Sequence, residues 1–229
     1  MDNSFFQVAI DGPAASGKST VARLLASRIG GYYINTGDMY RALAWTALEH
    51  GVAPATAPAE VIKLLPLCDL RYRIVDEVPT LFLNGEVVPQ AAIRSPEVSA
   101  VVSPVAAIPE VREWMLERQR ECRKVGNIIM EGRDIGTVIF PQAKFKFFVT
   151  ASPMERARRR LAQKGEVAEG ATLESVAADI AKRDEIDSTR AVAPLRPAED
   201  AATIMTDGIT AEEVADLLAA TIRHTNKNQ

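Results

Sequence analysis

Residues 12–19, Gly12-Pro13-Ala14-Ala15-Ser16-Gly17-Lys18-Ser19, fit the pattern G-x-x-x-x-G-K-[ST]. A short apolar run, Phe5 to Ile10, precedes them, and Val21, Leu24, Leu25 and Ile29 follow on one helical face. Strand, glycine-rich loop and helix in that order leave few folds open. The glycines let the loop wrap closely so that backbone N–H groups point inward. The helix starting near Lys18 aims its positive end at the same point. A loop of this kind cradles phosphate, with Lys18 reaching the β- and γ-phosphates of a nucleoside triphosphate and the Ser19 hydroxyl joining Mg2+. Gly12 to Ser19, together with Thr20, are therefore the candidate triphosphate-binding residues. The plain alternative is a glycine-rich turn with no ligand, and the flanking strand and helix argue against it.

The rhythm continues along the chain. Gly30-Gly31 stops the first helix, Tyr32 to Ile34 is a second short strand, and a helix is predicted from Asp38 to about His50. Alternating strand and helix indicates an α/β fold, a parallel sheet flanked by helices. The middle differs: Leu70 to Val75 and Thr80 to Val88 read as strands with Asn84-Gly85 as a hairpin turn. This predicts an inserted subdomain with short antiparallel strands over about 58–104 of a single domain, 1–229. Further on come a helix over Glu110 to Lys124, strands at Asn127 to Met130 and Phe145 to Val149, a helix over Leu173 to Glu185 and a strand at Ala202 to Met205. Capping boxes mark helix starts at Ser152/Glu155 and Thr210/Glu213. The first opens a helix with Arg156, Arg158, Arg159 and Arg160, expected to end at Lys164-Gly165 within a small lid over about 153–172. His224 to Gln229 reads as a frayed tail.

Composition narrows the partners. With 47% apolar and 25% charged residues and a net charge of -3, the chain is ordinary globular protein with no general affinity for nucleic acid or acidic membrane. Two cysteines and two histidines are too few for a metal cluster, a disulfide framework or a Ser/His triad. No signal segment or membrane span is visible, so a cytoplasmic protein, expected as a monomer, is predicted. Of the 27 basic residues, 19 are arginine. The arginine fork grips phosphate or carboxylate at two points, although genome base composition also enriches arginine. Trp45, Trp114 and Tyr72 lie among apolar neighbours and are assigned to packing.

A guanine-nucleotide switch would carry Asp-x-x-Gly and Asn-Lys-x-Asp. No aspartate here is followed three residues later by glycine, and the single Asn-Lys, Asn226-Lys227, continues as Asn228-Gln229. A phosphate-rich site of another kind is indicated by Thr36-Gly37-Asp38-Met39-Tyr40-Arg41, Pro104 to Arg112, Glu131-Gly132-Arg133-Asp134-Ile135-Gly136-Thr137 and Lys182 to Arg190.

With these segments, the loop at Gly12 and Arg190-Ala191-Val192-Ala193-Pro194-Leu195, the chain resembles bacterial cytidylate kinases nearly end to end. Glu131 stands where aspartate is as readily expected, and Thr36 where serine is common; each keeps its functional group. The resemblance implies a P-loop kinase moving the γ-phosphate of ATP, with Mg2+, onto CMP or dCMP in pyrimidine metabolism. It implies that Arg41 and Arg133 clamp the acceptor phosphate, that Ser103, Arg112 and Asp134 read cytosine, and that Asp187 and Arg190 contact sugar and phosphate, with Thr36 also in the acceptor site. Arg156, Arg159 and Arg160 become lid residues over the ATP phosphates, and Arg183 lies near the transferred group. Lys18, Arg133, Arg159, Arg160 and Arg183 are the implied catalytic set. UMP or a shikimate-like metabolite is the alternative acceptor. Read singly, an arginine on a helix is a solvated surface charge, Arg133-Asp134 a loop ion pair, and Arg190 a helix cap.

Overall fold

The computed structural model describes residues 5–163, 167 and 169–227. The expected break at Lys164-Gly165 and the ends of the chain lie outside them.

Strand β1 (Gln7–Asp11) is apolar from Val8 to Ile10 and buried from Val8 onward, as a central parallel strand must be. Helix α1 (Lys18–Ile29) follows, then β2 (Tyr32–Asn35) and α2 (Thr36–Glu49). The insert is richer than expected. It holds α3 (Pro58–Leu64), β3 (Leu70–Val75), β4 (Val78–Leu83), β5 (Glu86–Val87), α4 (Gln90–Ile93) and α5 (Pro96–Ala107), the last running past the expected boundary with Pro104 inside it. The chain continues as α6 (Pro109–Glu121), β6 (Ile128–Gly132), a π-helical turn at Ile135–Ile139, β7 (Phe145–Thr150), α7 (Pro153–Leu161), α8 (Leu173–Thr189), β8 (Ala202–Met205) and α9 (Ala211–Lys227).

The main sheet has the order β2-β6-β1-β7-β8, all parallel, and β3-β4-β5 form a separate antiparallel sheet. Two expectations are corrected here. The predicted strand 80–88 is broken by Asn84-Gly85, which turns β4 into β5, while the first hairpin reverses at Asp76-Glu77. Both turns have positive φ at both central residues (48° and 62°, 52° and 90°), the twist a two-residue hairpin requires. Only the Asn-Gly pair announces it in sequence. Second, α9 runs on through Lys227 where a frayed tail was expected.

Thr210 and Glu213 form the reciprocal cap expected of them. At α7 only half of the box forms. The Ser152 hydroxyl accepts from Glu155 N–H, but the Glu155 carboxylate turns to Arg159 and the Ser152 N–H is taken by Asp207.

One apolar cluster joins α1 and α9 to one face of β1 and β7. A larger one packs α2 and α6 against the insert, α5 included, with Trp45, Trp114 and Tyr72 against it as expected. Cys68 and Cys122 are buried free thiols. Strands β1, β2 and β6 therefore end side by side, with β1 at the point where chain order reverses. That carboxyl edge is where open α/β sheets place their ligand crevice.

Candidate active site

The loop after β1 wraps as the pattern demands. Gly12 has φ 149°, and a Cβ there would lie 2.0 Å from the Val149 carbonyl oxygen, so no other residue fits. Lys18, 6% exposed, folds back across the loop and donates to the Pro13 carbonyl at 2.6 Å. Burial, reinforced by Arg133, pulls its ammonium from the usual range to about 7. Ser19 is half-buried in the same cleft. Arg156 and Arg159 hold this loop from outside. Arg156 donates to the Ala14 carbonyl and pairs with Asp184, which also accepts from Ala14 N–H. Arg159 donates to the Ser16 carbonyl at 3.1 Å and to Thr206.

The far half of the cleft is lined by Thr36, Arg41, Ser103, Arg112, Arg133, Asp134, Asp187 and Arg190, which come from four widely separated stretches of chain. Ser103 faces it from α5, one residue before the helix's internal proline. Thr36 donates to the Glu131 carbonyl, joining the start of α2 to the end of β6. Arg41 donates to Ser99 and the Ile93 carbonyl, tying α2 to the insert.

The adjacent Arg133 and Asp134 do not pair with each other. Arg133 pairs with Asp187 at 2.8 Å, whereas Asp134 is gripped from two sides by Arg112 at 2.5 Å and Arg190 at 3.3 Å. Arg112 and Asp134 are 5% and 4% exposed. A carboxylate so placed must be paired, because an unpartnered buried charge costs several kcal/mol, about 3–5. Arg190 does cap α8 with its backbone, as the plain reading had it, and its guanidinium still reaches Asp134.

Between the two halves, cations crowd one another. Burial, then Arg133, holds Arg183 down to about 9; burial, then Arg41 and Arg133, holds Arg160 at about 10. Burial, then Arg94, holds Arg41 at about 10. Of the three lid arginines, Arg160 lines the cleft and is near this group, while Arg156 and Arg159 are engaged with the loop backbone. Such mutual repulsion is costly, and a polyanion relieves it.

Among the lining residues that sequence reasoning missed, three make notable contacts. Arg94, in the insert, donates to buried Asp38 at the start of α2, and Tyr40 lies under the Arg112 guanidinium, 5.5 Å from ring centroid to carbon. Asp38 and Tyr40 sit inside the segment singled out at residues 36–41, so a signal existed for them. Arg94 carries none beyond the helix start at Ser95-Pro96.

A family model described as cytidylate kinase matches residues 8–224. The chain belongs to that family. It is 48% identical over 212 residues to a cytidylate kinase of Geobacillus sp., covering 92% of this chain and 93% of that protein. It is 46% identical over 231 residues to a bifunctional pantoate ligase/cytidylate kinase of Synechocystis sp., covering 96% of this chain but 43% of the relative. The chain thus spans less than half the length of such bifunctional relatives and nearly all of the other cytidylate kinases. Among solved structures, an uncharacterized protein from Eubacterium ventriosum shares the fold at 10% identity, with a TM-score of 0.51 over 96% of this chain and 98% of that one. Among the described residues, no helix is long and apolar enough to cross a membrane.

Proposed function

We propose that this cytidylate kinase family member transfers the γ-phosphate of ATP to CMP or dCMP, giving ADP and CDP or dCDP, within pyrimidine metabolism in the cytoplasm. The observation that carries the reading is the Arg112–Asp134–Arg190 wall, which faces the same cleft as the phosphate loop. Cytosine presents an amino donor at N4 beside acceptors at N3 and O2. A carboxylate accepts from that amine, as acids do from cytosine in DNA, and a guanidinium donates to the two acceptors. Ser103 adds a hydroxyl from α5.

Phosphoryl transfer leaves protein groups little covalent work; they bring two anions into line and neutralise the charge between them. In this reading Arg41, Arg133 and Arg94 hold the acceptor phosphate, and Lys18, Arg160 and Arg183 the transferred group; that all six line one cleft supports it. Closure over both nucleotides excludes water that would otherwise take the phosphoryl group. No catalytic base is needed.

The residues present fit Mg2+ arriving with the nucleotide. No group of three or more acidic, histidine or cysteine ligands occurs among the described residues, and a hard hydroxyl donor, Ser19, lines the cleft beside Lys18. Mg2+ is commonly held by few protein oxygens plus substrate phosphates, and bound there it would offset charge on the β- and γ-phosphates.

Transfer from ATP-Mg2+ to a panel of nucleoside monophosphates, coupled to ADP detection, tests the proposal. CMP and dCMP are expected to lead the panel; a purine monophosphate, or UMP, turned over as well as CMP would overturn it.

Nucleotide binding should also move protons. At pH 8, Lys18 with a pKa of about 7 is largely neutral in the free protein. Phosphate oxygens beside Nζ favour the charged form, so its pKa rises and a proton is taken up on binding. Calorimetric titration of ATP-Mg2+ in two buffers of different ionisation enthalpy should show uptake at pH 8, shrinking towards pH 6 where the amine is already charged. Proton release at pH 8 would contradict this.

A further inference from the structure

Asp11, the last residue of β1, lies outside the loop pattern and has no part in the function described above. It is 4% exposed. In register it stands beside Gly132, the last residue of β6. From there the chain passes through Arg133 and Asp134 into the π-helical turn, whose first N–H groups have no partner within the turn. Asp11 supplies both. Its Oδ1 accepts from Ile135 N–H and its Oδ2 from Gly136 N–H, each at 2.8 Å. The approach is close on this side: a Cβ at Gly136 would touch Asp11 Oδ2 at 3.4 Å and press on the Lys146 side chain at 3.2 Å. The contact spans 124 and 125 residues of sequence.

We infer that Asp11 is a positioning residue for the acceptor: it pins the segment carrying Arg133 and Asp134 to the strand that feeds the phosphate loop, so that both nucleotides are held against one rigid edge. The inference rests on the proposed function for the identity of the acceptor. Two-point, charge-assisted bonding fixes orientation as well as distance. Asp134 is the next residue towards the N-terminus from the pinned Ile135, so slack in this clamp moves the carboxylate relative to Arg112 and Arg190. Burial holds the Asp11 carboxyl up at about 7, opposed by the two backbone N–H groups. The competing role is indirect, through the charge of nearby Lys18. That role predicts a different outcome, because Lys18 belongs to the ATP side.

Asp11→Asn keeps the shape but leaves one oxygen to serve two donors. Binding of CMP alone, and of a non-hydrolysable ATP analogue alone, is measured by calorimetry in wild type and variant. Exchange of the Ile135 and Gly136 amides is followed by NMR. The expected result is a CMP affinity lower by roughly tenfold or more, an ATP-analogue affinity changed less than about threefold, and faster exchange at both amides. Gly136→Ala, which keeps the carboxylate and crowds it, should give a smaller loss of the same selectivity, and it carries the test if Asp11→Asn does not fold. Equal weakening of both nucleotides, or an unchanged CMP affinity, overturns the inference. A wild-type chain that fails to bind CMP contradicts the proposed substrate, and the amide exchange then judges the clamp separately: unchanged exchange overturns it.

Discussion

Lys18→Ala is expected to fold normally and to lose turnover by about a hundredfold or more, the cost typical of removing one donor aimed at developing charge. Lys18 is buried yet, among the described residues, bonded only to a loop carbonyl at 2.6 Å and to the Ser16 hydroxyl at 3.4 Å. Burial disfavours its charged form, so truncation removes a desolvated amine and no ion pair within the fold. The folded state therefore gives up little, whereas under the proposed function the transferring phosphate would lose a cation of the loop. A circular-dichroism melt and a CMP transfer assay separate the two effects. A variant with near-normal turnover would sink the assignment of the loop.

Much of this was legible in the sequence because it rests on local rules. The loop at Gly12–Ser19 needs glycine at fixed places, and the β1, β6 and β7 runs are largely apolar because parallel strands are covered on both faces. What escaped is long-range or conformationally ambiguous. Asp76-Glu77 turns a hairpin without glycine, and Pro104 hides a helix that continues to Ala107. Residue positions for the site were named from resemblance, but their partners were not. Adjacent Arg133 and Asp134 look like a pair in sequence, yet β6 sends them to different neighbours, Asp187 and Arg112/Arg190. Asp11 reads as the end of a strand until the fold brings Ile135 and Gly136 over it.

Asp134→Asn and Arg112→Met should narrow the preference for CMP over UMP. Uracil replaces the N4 amine with a carbonyl and puts a proton on N3, so it turns acceptor toward the Asp134 carboxylate and donor toward the Arg112 guanidinium. Each unpaired buried polar group costs about 1–3 kcal/mol, and two mismatches give discrimination of about a hundredfold or more. Had Asp134 served only to orient Arg133, its loss would impair every acceptor alike; its bonds instead run to Arg112 and Arg190. Both arginines are buried, so each variant also loses thermal stability, and a melt fixes the temperature at which the assay is run.

The most direct test is therefore the ratio of kcat/KM for CMP over UMP, with ATP-Mg2+ as donor, in the wild type and in Asp134→Asn. The expected wild-type ratio is on the order of a hundred or more, falling at least tenfold in the variant. A wild-type ratio near one, or a variant that loses both acceptors equally and keeps its ratio, would contradict it.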